Sequence, residues 1–411
     1  MNLYLFVESS RGAIFGIGTY IRELTAILAK NRINVCVIHL NTDKTQIQMD
    51  EKESIRHWYF PAPIPKKKPT NFINQDELYY RNIVYLLRLH IEAKTNLIFH
   101  LNNNQHEKLA NELKKMFDCI VVTTTHYFGW SLGLFGNILH FRKIILSDET
   151  SRTDSFSKTV YESYINEKEL YEKVDHVICL AEHTRQILEN DYQIDPHKIC
   201  VIYNGLTECS TNADKIKLRH KYHIPHIPII LFAGQIADIK GLAYALRAFR
   251  IVLTTYPNCH FIIAGNGAFD SFMKECEDIW MHITWTGLIN KDKLYDLYQI
   301  ADIGVMPSFH EQCSYVAIEM FMHGVPLIAS TSTGLCEMVE DGVSGLNIPI
   351  IEYADKSEID VNLFAKKILY LLQHPKEARK LGNGGRERYK RMYTSEMFGQ
   401  NMLSLYQSFF N

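Results

Sequence analysis

One pattern recurs along this chain: a short apolar run, a loop, an amphipathic helix, then another apolar run. Residues 3–7 are an apolar strand, 9–18 a glycine-bearing loop, and 19–30 a helix with Ile21, Leu24, Ile27 and Leu28 on one face. Residues 35–40 form the next strand. Strand, helix and strand in that order build a parallel sheet with a right-handed crossover. The same reading predicts buried strands at 97–101, 119–123, 143–146, 176–180 and 199–203. Residues 207–215 then turn polar and lose all periodicity. After them the alternation restarts, with strands at 229–233, 260–264, 284–285, 302–307 and 326–330. Helices are expected at 242–253, 291–301, 361–373, 382–393 and 395–410. A length of 411 residues is too much for one ordinary core and suits two domains of about 200 residues each. The expected fold class is therefore α/β, with two doubly wound, Rossmann-like halves. The first covers 1–206 and the second 207–394.

Composition removes several functions. The formal net charge is −2, far from the basic balance of a nucleic-acid binder. Nine cysteines without CxxC spacing read as reduced thiols of a cytoplasmic protein, not as a zinc site or disulfide framework. No leader pattern precedes the first strand, and no run of 18 apolar residues occurs. Lys66-Lys67-Lys68 reads as a solvated edge, and peripheral contact with the inner face of a membrane stays open.

The most chemical stretch is Ser308–Glu319. Glu311 falls in the loop after the strand 302–307, and Glu319 about two turns down the helix that follows, which ends at Gly324-Val325-Pro326. A helix N-terminus offers unpaired N–H groups and a partial positive charge to a phosphate or a sugar hydroxyl. A carboxylate can accept two hydroxyl protons, as a ribose diol presents them. Alone, each glutamate reads equally well as a surface residue or half of a salt bridge.

Together, Pro-Ser, Glu311, seven residues, Glu319 and Gly-x-Pro resemble the EX7E signature of retaining glycosyltransferases of the GT4 family, which have the GT-B fold. The resemblance runs with gaps from the first strand to the last helix. It implies two Rossmann-like domains facing across a cleft, the first for the acceptor and the second for a nucleotide-sugar donor. It also implies that helix 395–411 crosses back to the first domain. Gly234 to Gly241 resembles the family's donor-diphosphate loop. Lys240 matches its lysine, and Gln235 stands where arginine is common. A fixed ammonium stabilises the charge that grows on a departing diphosphate. The resemblance places Gly265, Gly267 and Trp285-Thr286-Gly287 beside the base, and Thr333-Gly334 where the family often has two glycines. The backbone N–H groups of Cys313, Ser314 and Tyr315 would point at the sugar and β-phosphate. Cys-Ser-Tyr departs from the usual Phe-Gly-Leu. Glu311 would hold donor-sugar hydroxyls and Glu319 the ribose. Phe15-Gly16-Ile17-Gly18 resembles the glycine loop near the donor phosphates, and it fails as a dinucleotide fingerprint because no third glycine follows. His126, after the strand 121–125, matches a histidine close to the donor sugar, and His100 could line the same edge.

The implied catalytic set is His126, Lys240 and Glu311. The implied donor-binding set is Gly16, Gly18, Gln235, Lys240, Gly265, Gly267, Cys313, Ser314, Tyr315 and Glu319. With no Asp-x-Asp in the chain, no metal and no other cofactor are expected. The expected partners are a nucleotide sugar and a glycan, lipid-linked or peptide acceptor. The aromatic run 127–141 would suit an apolar acceptor. His-Glu-Gln-Cys-Ser-Tyr is also similar to transferases encoded beside double-glycine-leader peptides in Bacteroidales. Two other readings fit the same fold: a non-catalytic GT-B subunit that stabilises a partner transferase, and a nucleotide-sugar epimerase.

Overall fold

A computed structural model describes residues 1–9, 16–52, 55–63, 75–93, 95–209 and 214–410. Phe15 and the run Lys66-Lys67-Lys68 lie outside the described residues. The chain divides into two compact units. One comprises Met1–Trp130, Ile144–Gly205 and Ser395–Asn411, and the other Ser131–Lys143 and Leu206–Thr394. The segment Ser131–Lys143 thus leaves the unit that its sequence neighbours build.

The first unit holds an eight-stranded sheet. Its strands are β1 (Asn2–Glu8), β2 (Asn34–Thr42), β3 (Gln48–Lys52), β4 (Ile55–Pro61), β5 (Leu97–Leu101), β6 (Cys119–Thr125), β7 (His176–Cys179) and β8 (Ile199–Val201). Their order is β3-β4-β2-β1-β5-β6-β7-β8, parallel except for the β3–β4 pair. Leu3 to Val7 of β1 are all buried, as an apolar run covered on both faces requires. The chain order reverses direction between β1 and β5, a switch point where side chains beyond the strand ends flank a crevice. The last helix, Ser395–Ser408, belongs to this unit. It packs on helix Gly16–Lys30 so closely that a Cβ on Gly399 would come 2.7 Å from Ile27 Cγ2. Buried Tyr406 ties it to the sheet through a 2.6 Å bond to His100 Nδ1.

The second unit holds a six-stranded, all-parallel sheet. Its strands are β9 (Ile229–Ala233), β10 (His260–Ala264), β11 (Ile283–Gly287), β12 (Ile303–Met306), β13 (Leu327–Ser330) and β14 (Leu346–Ile348). They lie in the order β11-β10-β9-β12-β13-β14, so the switch point falls between β9 and β12. Two further strands, β15 (Ile350–Glu352) and β16 (Ser357–Ile359), pair antiparallel. Some of the surrounding helices begin on capping side chains. Asn290 accepts from Lys293 N at 3.0 Å to start Lys291–Ile300, and Asp360 accepts from Asn362 N at 2.9 Å to start Val361–Gln373.

Two local expectations need correction. Residues 143–146 are not a strand, because Ile138–Ile145 is a helix. Its apolar residues Ile138, Phe141 and Ile145 recur at helical spacing, and so short a run does not separate the two states by pattern. Gly16 and Gly18 are not in a loop: they form the first turn of helix Gly16–Lys30. Gly16 is exposed there.

Candidate functional site

In the second unit the loops after β9 and β12 meet at the switch point. The first makes a short 3-10 turn, Asp238–Lys240, and ends at Gly241 with φ +68°. A Cβ on Gly241 would lie 2.0 Å from the Pro307 carbonyl oxygen, so only glycine lets the two loops touch. Phe309 N donates to Ile239 O at 2.8 Å and fixes them together. The result is an ion pair, Lys240 Nζ to Glu311 Oε1 at 2.6 Å, with the side chains 25% and 15% exposed. This pair is partly open, so a ligand has access to both partners.

Glu311 is braced from behind by the loop after β13. Its backbone N donates to Thr333 Oγ1 at 3.0 Å, and its carbonyl accepts from Gly334 N at 2.8 Å and from the Thr333 hydroxyl. From the other side comes Ser131–Lys143. Phe135 meets Phe309 edge-on with ring centres 5.7 Å apart. Gly136 has φ +67° and lies so close to Phe309 O that a Cβ would fall 2.6 Å from it. Asn137 Nδ2 donates to the carbonyls of Tyr353 at 2.9 Å and Lys356 at 3.0 Å.

Glu319 sits in helix Tyr315–Met322 with its side chain 1% exposed. One carboxylate oxygen pairs with the half-exposed Lys291 ammonium, and the other accepts from Tyr298 OH at 2.9 Å. Lys291 is a site residue that the motif reading missed. Its signal was its position just after the Asn290 cap, at the start of a helix. Cys313, Ser314 and Tyr315 are buried at the start of the Glu319 helix, and Ser314 N donates to the Met338 thioether at 3.3 Å, a weak acceptor.

Gly265 and Gly267 serve the loops themselves. Their Cα atoms press on the backbone after β9, where a Cβ would come 1.7 Å from Gly234 O and 2.0 Å from Ile236 O. Ile236 N donates to Asn266 O at 3.0 Å across this contact. Gln235 is exposed beside it. Among the described residues no group of three or more His, Cys, Asp or Glu side chains is placed to hold a metal ion. No helix is long and apolar enough to cross a membrane, again among the described residues.

Gly16, Gly18, His100 and His126 belong to the first unit. His126 Nε2 bonds Asn102 Oδ1 at 3.1 Å, and its ring meets Tyr20, of the helix that Gly16 begins, edge-on at 4.8 Å. Burial pushes its pKa down to about 3, so the imidazole is neutral near pH 7. His100 is no edge residue. It is fully buried between Tyr406 and Thr124, whose Oγ1 lies 2.7 Å from Nε2. The aromatic run 127–141 divides. Phe128 and Trp130 are buried in a stack with Tyr192, while residues 131–141 join the second unit.

Comparison with known proteins follows this division. Residues 14–207 match the family described as Glycosyltransferase Family 4, and residues 214–388 the family described as Glycosyl transferases group 1. An uncharacterized glycosyltransferase of Methanocaldococcus jannaschii is 29% identical over 179 residues, which is 41% of this chain and 46% of that protein. The chain spans about half the length of the first curated relatives it matches, 46%, 49% and 42% of them. Sucrose-phosphate synthase from Thermosynechococcus elongatus superposes with a TM-score of 0.76 at 20% identity, over 100% of this chain and 99% of that one. HepE of Anabaena, solved in complex with UDP and glucose, superposes with a TM-score of 0.73 at 14% identity, over 99% of this chain and 100% of that one. These likenesses establish the fold as GT-B.

Proposed function

We infer that this chain, whose two halves match two glycosyltransferase families, moves a sugar from a nucleotide-diphosphate donor to an acceptor hydroxyl. The observation that carries the reading is the Lys240–Glu311 pair, open at the switch point of the second unit. A diphosphate arriving there competes with Glu311 for the Lys240 ammonium. The exchange frees the Glu311 carboxylate to accept from donor-sugar hydroxyls. As the bond from the sugar's anomeric carbon to the phosphate oxygen breaks, Lys240 stabilises the growing charge. The acceptor oxygen bonds to that carbon from the same face, so configuration is retained, and its proton passes to the departing phosphate. Lys291 would stand beside the ribose or α-phosphate, and its movement would open Glu319 to the ribose diol. His126, neutral near pH 7, acts as a hydrogen-bond partner and not as a general acid. No metal enters this scheme, and Glu311 with Glu319 stands as the EX7E pair.

Titration with UDP, GDP and ADP, with and without Mg2+, tests it. The Anabaena structure was solved with UDP, which makes UDP the first probe. Stabilisation by one nucleotide without metal is expected, followed by its release from the cognate sugar nucleotide when acceptor is added. Binding of none at millimolar concentration would instead favour the non-catalytic subunit, which exposed Gln235 in the arginine position supports.

A further inference from the structure

The first unit has a cavity of its own at its switch point. It measures about 680 Å³, within the roughly 300–1,000 Å³ of small-molecule sites. Glu8 ends β1, Asn103 and Asn104 follow β5, and Tyr127 follows β6, so the cavity lies beyond the carboxyl ends of adjacent strands.

Its chemistry is one-sided. Among the described residues, Glu8, Asp76, Glu107, Glu162 and Glu167 line it, against one cation, Lys108. Glu8, Glu107 and Glu167 have partners in the fold. Glu8 accepts from Asn41 Nδ2 and pairs with His106 Nε2, each at 2.8 Å. Burial alone would raise its pKa, but the His106 and Asn41 contacts outweigh burial and hold it below the usual range. Glu107 pairs with Lys173.

A second, independent observation concerns Asn104. It lines the cavity and is only 4% exposed. Its Nδ2 donates to Tyr127 O at 3.3 Å and to the Glu167 carboxylate. Its Oδ1 is buried without a hydrogen-bond partner. Such an oxygen is costly to leave unmatched, and a ligand donor would satisfy it. Carboxylates and an amide oxygen accept hydrogen bonds. A hydroxyl or an ammonium supplies donors to them. A phosphate or carboxylate supplies none and meets like charge.

We propose that this cavity seats the acceptor and takes a hydroxyl-rich group that bears no anion, with an amine-bearing sugar favoured. The assignment of an acceptor rests on the sugar-transfer reading above; the selectivity of the cavity does not.

The test uses the full chain and three probes: glucosamine, methyl glucoside and glucose 6-phosphate. Binding is followed by saturation-transfer NMR, and UDP binding is measured in parallel. Glucosamine should bind roughly two- to fivefold tighter than methyl glucoside, the worth of one accessible ion pair. Glucose 6-phosphate should bind about tenfold weaker than methyl glucoside. The double variant Asp76→Asn, Glu162→Gln should erase the amine preference and leave UDP binding unchanged. Equal or tighter binding of the phosphate, survival of the preference in the variant, or no binding of any probe at about 50 mM would each overturn the proposal. If UDP binds and the selectivity is missing, this proposal alone fails. If UDP does not bind, the sugar-transfer reading fails, and the probes still decide the chemistry of the cavity.

Discussion

The two switch points are built on the same scaffold and carry opposite chemistry. In the second unit, two carboxylates that follow β12 each face a lysine: Glu311 with Lys240 and Glu319 with Lys291. Both lysines are partly exposed, so an anionic ligand has cations to take. Beyond β1 and β5, the described cavity lining is rich in carboxylates and amides and includes one cation, Lys108. There the fold supplies acceptors and leaves one amide oxygen unmatched. A doubly wound sheet thus fixes where a ligand sits, and the loop residues fix its charge.

The contrast breaks most sharply at Lys240. If its ammonium serves the leaving diphosphate, Lys240→Ala should lower kcat by about 10²–10³ with a smaller change in KM, as loss of one group that stabilises transition-state charge does. Steady-state release of nucleotide measures it. Wild-type turnover would place the chemistry elsewhere.

Next in size is Glu167, which shows how far the first unit desolvates a carboxylate. It accepts from Gly129 N at 2.6 Å, from Asn104 and from Tyr192, yet burial raises its pKa from 4.5 to about 7. The folded chain therefore keeps a proton that the unfolded chain loses between those values. The resulting stabilisation is complete below pH 4.5 and is lost as pH rises through 7, roughly 3 kcal/mol in all. Urea unfolding of wild type and Glu167→Gln at several pH values isolates it. Their difference should shift against the wild type by that amount between pH 4.5 and 8, and a flat difference would show an ordinary carboxylate.

Glu319→Gln sharpens the other side. Gln still accepts from Tyr298 but no longer pairs with Lys291. Stability should fall by about 1 kcal/mol, because Lys291 is half exposed. Nucleotide affinity should fall about tenfold, near the 1.5–3 kcal/mol of a charge-assisted bond. Isothermal titration with the nucleotide that binds best separates the two effects. Unchanged affinity would make the Lys291–Glu319 pair purely structural.

Much of the fold was legible because buried parallel strands are short apolar runs. β5, β9 and β10 stand where those runs put them, at Leu97–Leu101, Ile229–Ala233 and His260–Ala264. β3 was not legible, since Gln-Met-Asp-Glu-Lys is exposed throughout and exists only by pairing with β4. The strand ends carrying Lys240 and Glu311 could be picked out, but their direct pairing could not, because it depends on Gly241 lying under Pro307. Glu167 left a signal that pattern reading passed over. It is an acidic residue on the buried stripe Val160, Tyr164, Glu167, Tyr171 of helix Ser155–Lys173. A charge at a core position needs partners, and its partners came from Asn104, Gly129 and Tyr192, far away in sequence.

The smallest effect tests whether backbone packing, and not the charges alone, makes the second site. Gly241 has φ +68°, and a Cβ there would lie 2.0 Å from Pro307 O. In Gly241→Ala the left-handed conformation costs about 1 kcal/mol, and the clash must be relieved by moving one loop from the other. The loops are held by the Phe309 N to Ile239 O bond, so that movement separates Lys240 from Glu311 while leaving both charges present. Thermal stability should drop modestly, by a few degrees for about 1–2 kcal/mol in a chain of this size. Nucleotide binding should weaken by more than stability does, and glucosamine binding at the first unit should be untouched. Equal weakening at both sites would mean a general loss of folding and would remove the local contrast that the two switch points present.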